Sequence, residues 1–232
     1  MKRILILLTA IMATVGLQAQ PQAGTFSIIP KVGVSIMQIH YGNILTSDKE
    51  EPFSTSSKSL SGVTAGVDFQ YQVSNMVAVS AGAMYARQGA RFDDSDLTGL
   101  SAGSYSAYSN QRLCNDYLLI PILAHVYVYK GLAVELGIQP GFLLGSRSKY
   151  RQQTVTISKE GDFSYGDFLE KDESSSDLLN KTDWSIPVGL SYEYENVVID
   201  CRYNFGISNV YKLVSGDKNR GFHLTVGYKF NL

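Results

Sequence analysis

Hydrophobic and polar residues alternate with a period of two through most of the chain. In residues 60–73, Val63 and Val67 share one face, while Thr64 and Asp68 occupy the other. Successive side chains of a strand point to opposite faces of a sheet, so this period predicts β-structure. Five segments show the alternation clearly and three more weakly. Together they predict eight strands, at residues 26–40, 60–73, 76–90, 114–129, 132–145, 182–194, 197–208 and 221–232.

The segments between these strands are alternately short and long. Ser74-Asn75, Lys130-Gly131 and Glu195-Asn196 have the length of tight hairpin turns. The other connections are long and polar, and they cover residues 41–59, 91–112, 146–181 and 209–220. This order predicts an up-and-down antiparallel meander, with short turns at one end and long loops at the other.

Three prolines lie inside the predicted strands, at Pro121, Pro140 and Pro187. Proline has no N–H to donate to a neighbouring strand, so it is normally excluded from the interior of a sheet. The alternation continues through each of the three positions. We therefore keep the strands and expect a bulge or a lost hydrogen bond at each proline.

The residue types on the two faces indicate where the apolar face points. The polar face is rich in glycine, which suits a narrow barrel interior better than a solvated surface. These glycines are Gly62, Gly66, Gly82, Gly137, Gly141, Gly189, Gly206 and Gly227. The apolar face carries aromatic residues near both ends, as membrane barrels do at the two bilayer interfaces. They are Trp184, Phe222, Tyr85, Phe142 and Phe205 toward the long connections, and Tyr71, Tyr192, Tyr194, Tyr228 and Phe230 toward the short turns.

In lipid, only a closed barrel gives every strand a hydrogen-bonded neighbour on both sides. The fold class predicted is therefore all-β, an eight-stranded antiparallel up-and-down transmembrane β-barrel. An alternative from the same pattern is a soluble lipocalin-like ligand binder, in which the apolar face would line the interior.

The start of the chain has the pattern of a secretory signal. Lys2 and Arg3 precede an apolar run, and Ala19 lies just before the expected cleavage point. We expect a signal peptide over residues 1–19 and one outer-membrane barrel domain over residues 20–232. The protein would be exported through the periplasm and become integral to the bacterial outer membrane.

Charge excludes one class of partner. The chain has 20 Lys and Arg against 21 Asp and Glu, a formal net charge of −1. A nucleic-acid-binding protein normally carries a strongly basic surface, so no nucleic-acid partner is expected. Charged residues make up 18% of the chain, below the roughly 25% of ordinary soluble domains.

Cys114 and Cys201 are the two cysteines of the chain. An exported protein meets an oxidising compartment in which two cysteines could pair. Their predicted strands lie apart in the meander, so we expect both to act as small apolar residues.

Four stretches of the chain resemble one known family. They are Tyr117-Leu118-Leu119-Ile120-Pro121-Ile122-Leu123, Gly141-Phe142-Leu143-Leu144-Gly145, the strand from Asp200 to Asn209, and Gly227-Tyr228-Lys229-Phe230. Together they are similar to the PorT-type outer-membrane β-barrel family of Bacteroidota, and the resemblance covers residues 25–232. It implies an eight-stranded outer-membrane barrel. One founding member of that family is tied to protein secretion across the outer membrane, and most members have no assigned activity.

The alternation places ionisable residues inside the barrel. We predict a structural polar network there, formed by Asp68, Glu135, Asp183, Glu193, Asp200, Arg202 and Lys229. Lys31, His125 and His223 share its face. Buried charges must be paired, so the first interpretation is a salt-bridged plug in a barrel too narrow for a water-filled channel. The alternative is a path for protons or ions.

We expect no catalytic, cofactor-binding or metal site. The segment His40-Tyr41-Gly42-Asn43 faintly resembles the His-x-Ser-x segment of outer-membrane lipid A deacylases. Glycine stands where the serine nucleophile would be needed, so the constellation lacks its first requirement. A lipid-modifying enzyme remains the alternative function. The three histidines and two cysteines lack the spacing of metal ligands.

The long connections are where an interaction would occur. Residues 98–112 mix Ser, Gly, Ala and Tyr, and residues 146–181 carry charges of both signs. The main prediction is a monomeric, non-enzymatic barrel with a structural or interaction role. It would contact outer-membrane lipid through its wall and an envelope protein through loops 91–112 and 146–181. The alternative for these loops is a flexible surface without a partner.

Overall fold

A computed structural model describes residues 22–40, 57–95, 100–213 and 215–232. The expected signal peptide at 1–19 lies outside the described residues, as do most of the 41–59 connection and Gly42. The strands of the described residues are β1 (Phe26–His40), β2 (Ser57–Ser74), β3 (Val77–Phe92), β4 (Gly103–Leu119), β5 (Ile122–Tyr129), β6 (Leu132–Ile157), β7 (Phe163–Ser174), β8 (Thr182–Tyr194), β9 (Val197–Gly206), β10 (Lys218–Tyr228) and β11 (Phe230–Asn231). No helix in this part of the chain is long and apolar enough to cross a membrane.

The strands form one antiparallel ring with eight positions. Neighbours around it follow the order β1, β2, β3, β4, β6, β8, β9 and β10, and β10 pairs with β1 to close the barrel. β5 continues the position of β4 between β3 and β6, and β11 continues that of β10 beside β1. The predicted eight-stranded antiparallel barrel is confirmed.

The three prolines differ in how far they interrupt the strands. Pro121 lies in the short gap between β4 and β5. Its carbonyl oxygen still accepts a 2.9 Å hydrogen bond from the N–H of Gly82. Pro140 and Pro187 lie within continuous strands, β6 and β8. The expected interruption is therefore present at Pro121, where it divides one barrel position into two strands.

The apolar residues lie on the outside of the barrel. Leu136, Leu190 and Val226 are 56%, 53% and 49% exposed, whereas Asp200 and Arg202 are 5% and 1% exposed. Such an apolar outer wall requires lipid around it. The soluble lipocalin-like alternative needs the opposite arrangement, and the structure contradicts it.

Short turns and long connections lie at opposite ends of the barrel, called here the inner end and the outer end. The turns after β2, β5 and β8 occupy the inner end, and Leu232 donates its N–H to the carbonyl of Phe26 there, at 2.8 Å. In bacterial outer-membrane barrels, short turns face the periplasm and long connections face the exterior.

The structure corrects the prediction that residues 91–112 and 146–181 are loops. β4 begins at Gly103, β6 continues without a break to Ile157, and β7 adds a further strand paired with β6. Outside the bilayer both faces of a sheet meet water, so strands can pair there without apolar alternation. The pattern that marks the membrane strands is therefore missing, although the segment keeps Tyr, Thr and Val, which favour strands.

These extensions form a three-stranded sheet beyond the outer end, named here the outer sheet. It consists of residues 103–115 of β4, residues 146–157 of β6, and β7. Among the described residues, β7 pairs only with β6, so its other edge has no neighbouring strand.

An apolar cap closes the outer end of the barrel. It joins inward side chains of the strands to two connections that fold over them. Its members are Ile39, Ala90, Phe92, Leu113, Leu179, Val210 and Tyr211, with Leu143 packed against them. Leu179 forms a β-bridge with Tyr211, and the side-chain amide of Asn180 donates to the carbonyl of Asn209 at 2.8 Å. The connections at 175–181 and 207–213 are thus tied together above the lumen.

Candidate functional site

Arg202 is the centre of a buried ion-pair cluster inside the barrel. Its Nε lies 2.8 Å from both carboxylate oxygens of Asp200 and 3.4 Å from Oε2 of Glu135. Its Nη2 lies 3.6 Å from Oδ2 of Asp68. Lys31 pairs with Asp68 and lies 3.7 Å from Asp200. These five residues form the central cluster, and each side chain is at most 8% exposed.

Two glycines make room for this cluster. In the strand register, Gly189 lies opposite Arg202 and Gly82 lies opposite Asp68. A Cβ at Gly189 would lie 2.5 Å from Cγ of Arg202, and one at Gly82 would lie 2.0 Å from Oδ1 of Asp68. The long polar side chains therefore occupy the space that their neighbours leave open.

His125 extends the central cluster on one side. Its Nδ1 lies 3.1 Å from Oε1 of Glu135, and its Nε2 shares a 2.8 Å hydrogen bond with the hydroxyl of Ser80. The cluster holds two permanent cations, Lys31 and Arg202, against three carboxylates. His125 is placed beside the third carboxylate, Glu135.

A separate ion pair lies toward the inner end. Lys229 Nζ is 2.9 Å from Oε2 of Glu193, which also accepts a 3.3 Å hydrogen bond from the hydroxyl of Tyr127. Gln70 donates to the same hydroxyl at 2.8 Å. A cavity of about 20 Å³ lies between Glu193 and the Lys31, Asp68, Glu135 and Asp200 side chains of the central cluster, which is room for about one water molecule.

Asp183 lies by itself near the outer end. Its two oxygens accept hydrogen bonds from Ser208 at 2.6 Å and from Asn219 at 3.1 Å. No cation lies within ion-pair distance of it in the described part of the chain. Between Asp183 and the central cluster the interior is filled by neutral groups, including Gln139, which donates to Asn204 at 3.2 Å.

The seven charged residues predicted for the interior fall into three places. They are Asp68, Glu135, Asp200 and Arg202 in the central cluster, Glu193 and Lys229 in the inner pair, and Asp183 near the outer end. The sequence interpretation did not single out the neutral residues that fill the rest of the lumen, such as Gln70, Gln139 and Tyr127. The phase of the alternation places all three on the inward face, and that signal could have identified them.

The other candidate groups in the sequence are the two cysteines, the residue types that bind metals and the segment that begins at His40. Cys114 and Cys201 are free, on β4 and β9, which are separated by two strands of the ring. Within the described ranges, no group of three His, Cys, Asp or Glu side chains could hold a metal ion. Of the segment considered for a lipid deacylase, His40 ends β1 and residues 41–43 lie outside the described residues.

The outer sheet carries an aromatic patch far from the barrel wall. Its members, named here the tip patch, are Tyr105, Val155, Ile157, Phe163 and Tyr165. The register places Tyr105 and Tyr165 on either side of Val155, and Phe163 opposite Ile157. The rings of Phe163 and Tyr165 stack with centroids 6.3 Å apart, yet these side chains stay 47% and 60% exposed.

Ion pairs hold β7 against β6 nearer the barrel. Asp172 lies 2.9 Å from Nζ of Lys149 and 3.7 Å from Nη1 of Arg147, and Glu170 lies 2.7 Å from Nη2 of Arg151. The hydrogen bond from Lys149 holds the pKa of Asp172 below its ordinary value, and the charge of Arg147 acts in the same direction.

Acidification should therefore loosen the pairing of β7 with β6. The lowered pKa of Asp172 means that its ion pairs stabilise the sheet above the unfolded carboxyl pKa of about 3.9, and that this contribution is lost as the pH falls through the lower folded value. Amide hydrogen exchange in β7, corrected for intrinsic rates, should accelerate below about pH 4. An Asp172→Asn variant should show the faster exchange already at neutral pH. Equal protection of the β7 amides from exchange at neutral pH and below about pH 4 would contradict this prediction.

Comparison with known proteins identifies the family. The family model of the outer membrane protein beta-barrel domain matches residues 18–212. None of the curated proteins is significantly similar to the chain in sequence. Among solved structures, the attachment invasion locus protein Ail of Yersinia pestis is 14% identical with a TM-score of 0.43, covering 90% of this chain and 100% of its own. The outer membrane protein OprG of Pseudomonas aeruginosa is 11% identical with a TM-score of 0.45, covering 92% and 99%.

The outer membrane protease OmpT of Escherichia coli is also similar, at 11% identity and a TM-score of 0.42, covering 94% of this chain and 99% of its own. All three TM-scores lie below 0.5. The family match covers most of the chain and agrees with the closed ring, the apolar outer wall and the ion pairs inside it. The chain belongs to the outer membrane protein beta-barrel domain family, whose place is the bacterial outer membrane.

Proposed function

We propose that this protein is an integral, non-enzymatic outer-membrane barrel that binds a protein partner of the cell envelope through the tip patch. The observation that carries the proposal is the exposure of Phe163 and Tyr165 on a sheet that stands clear of the bilayer. Exposed aromatic clusters are typical of protein interfaces. The two segments involved are those first predicted to interact, 91–112 and 146–181.

The interior supports a structural role for the barrel itself. Ion pairs occupy its middle, neutral amides and hydroxyls lie above them, and the apolar cap covers the outer end. A single chain closes the ring, so the functional unit in this proposal is a monomer. Its export through the periplasm, after removal of residues 1–19, belongs to the same proposal.

The resemblance to the PorT-type family suggests the class of partner. In this proposal the protein is an accessory of an envelope system for protein secretion or surface assembly. Such a system would place the partner at the cell surface, within reach of the tip patch.

Site-specific photo-crosslinking in intact cells tests the partner surface. A photoreactive phenylalanine analogue at Tyr165 should give one defined adduct with an envelope protein. The same analogue at Ser164, whose side chain lies on the opposite face of β7, is the matched control and should give none. A Phe163→Ser change should abolish the adduct at position 165, because it removes the stacked neighbour of the ring.

Two outcomes would contradict this function. Equal adducts from positions 164 and 165, or none from either, would remove the tip patch as a binding surface. A changed acyl pattern of lipid A in cells that produce the protein, found by mass spectrometry, would instead favour the lipid-modifying enzyme.

The filled interior also predicts an electrically silent barrel. The purified protein in planar bilayers should give no stable open steps, because a cavity of about 20 Å³ holds about one water molecule and no continuous water column. Discrete, long-lived openings would overturn the plug and favour an ion path.

A further inference from the structure

A row of basic side chains crosses the outward face of the barrel just above its apolar wall. In the strand register, Lys58 on β2 lies opposite Arg91 on β3, Arg91 opposite Arg112 on β4, and Arg112 opposite Lys149 on β6. Directly opposed residues of neighbouring strands share one face of the sheet. Four cations therefore lie side by side on four successive strands.

Only the two ends of this row are neutralised. Lys58 pairs with Asp93, and Lys149 lies 2.9 Å from Asp172. No carboxylate among the described residues lies within ion-pair distance of Arg91 or Arg112, and Nε of Arg112 is buried without a hydrogen-bond partner. Like charges directly opposite each other destabilise a sheet. The arrangement is therefore unfavourable unless an anion lies against it.

The height of the row indicates which anion this is. On β6, Leu144 is 61% exposed on the apolar wall, and Arg147 and Lys149 follow it on the same outward face. At about 3.3 Å per residue, these two lie roughly 10 and 17 Å farther along a tilted strand. The polar headgroup region adds about 5–8 Å to each side of the hydrocarbon core. The basic residues thus lie at and just above the headgroups of the outer leaflet.

A cleft beside the row has the size for such a headgroup. It has a volume of about 360 Å³ and lies between Asp116, Arg147, Asp172 and Ser174. Gly145, at its lower edge, faces open space. Arg87 already neutralises Asp116, with Nε 2.8 Å from Oδ1, and the side chain of Arg147 is 72% exposed. The cleft therefore offers an exposed guanidinium, 3.7 Å from Asp172, directly above the lipid-facing wall.

We propose that Arg91, Arg112 and Arg147 form a binding site for the phosphate groups of an outer-leaflet glycolipid. The guanidinium groups bind phosphate oxygens through paired N–H donors, and the acyl chains lie along the apolar wall below. This site is separate from the tip patch and does not depend on a protein partner.

The test compares lipid retention by the folded protein in detergent micelles. Wild type and an Arg91→Gln/Arg112→Gln variant are titrated with phosphorylated lipid A, with dephosphorylated lipid A and with inorganic phosphate, and bound lipid is counted by native mass spectrometry. The control variant, Lys159→Gln/Lys171→Gln, removes the same charge from the β6–β7 turn and from the other face of the outer sheet.

Wild type and the control should retain phosphorylated lipid A at least about tenfold better than the arginine variant, the loss expected for charge-assisted hydrogen bonds. Wild type should also bind dephosphorylated lipid A about as weakly as the arginine variant binds phosphorylated lipid A. Equal retention by all three proteins would overturn the proposal. Full displacement of the lipid by an equal concentration of inorganic phosphate would also overturn the proposal. The site would then bind phosphate without any contribution from the acyl chains. Both variants change exposed or half-buried positions outside the core, and the resistance of the barrel to heat unfolding on gels verifies that they are folded.

Discussion

Replacing Arg202 with methionine should lower the free energy of unfolding in detergent micelles by about 3–5 kcal/mol, the range for a buried ion pair that loses one partner. The change leaves Asp200, Glu135 and Asp68 within the lumen with Lys31 as the remaining permanent cation. Methionine keeps most of the side-chain volume, so the loss reports charge rather than a cavity. Urea unfolding followed by tryptophan fluorescence measures it.

Arg151→Met is the matched control for this experiment. Arg151 also pairs with a carboxylate, Glu170, but their side chains are 50% and 71% exposed. Exposed ion pairs contribute about 0–1 kcal/mol, so the control should unfold almost like wild type. If the two variants lost equal stability, the central cluster would not be the main polar contribution to the fold.

Gly189→Val should be the second most damaging single change. The new Cβ would lie 2.5 Å from Cγ of Arg202 and 2.7 Å from the carbonyl oxygen of Cys201, so β8 and β9 must separate or Arg202 must leave its partners. Overpacking of this kind costs about 1–3 kcal/mol, and displacement of Arg202 adds to it. The same urea unfolding measures the loss.

Gly166→Val on β7 is the control for the change of residue type. The new Cβ would lie 3.4 Å from the carbonyl oxygen of Thr154, which is an ordinary contact. It should change stability by about 0.5 kcal/mol or less, as surface substitutions do. A Gly189→Val/Arg202→Ala double variant adds a second check, since it removes the side-chain atom that the valine meets. Its loss should be smaller than the sum of the losses of the Gly189→Val and Arg202→Ala single variants, each measured separately; full additivity would show that Gly189 does not act through Arg202.

Much of the barrel could be predicted from the period of two. Each membrane strand must present apolar atoms to lipid and polar atoms to the lumen, so residues such as Leu136 and Glu135 reveal their faces by position alone. The outer sheet could not be found in this way. Around Tyr150 both faces meet water, and nothing in the order of polarity distinguishes a paired strand from a loop.

The sequence also could not predict which inward-facing residues form ion pairs with one another in the lumen. Alternation identifies which residues point inward, but the stagger between strands decides which of them meet. Arg202 thus contacts Glu135 from a strand two positions away around the ring, while Asp183, on the same face, lies outside the cluster. The basic row has the same origin, since Arg91 and Arg112 become neighbours only through the register of β3 and β4.

The length of β6 fixes how far from the cell the protein can act. The strand runs unbroken from the inner turn at Leu132 to Ile157, and at about 3.3 Å per residue the tip patch lies roughly 40 Å along it from Leu144 at the lipid surface. A paired sheet resists bending more than a single-chain tether does, so this reach is nearly constant. A partner that lies flat on the bilayer surface would therefore not reach the tip patch. A partner that extends equally far from the membrane would contact it.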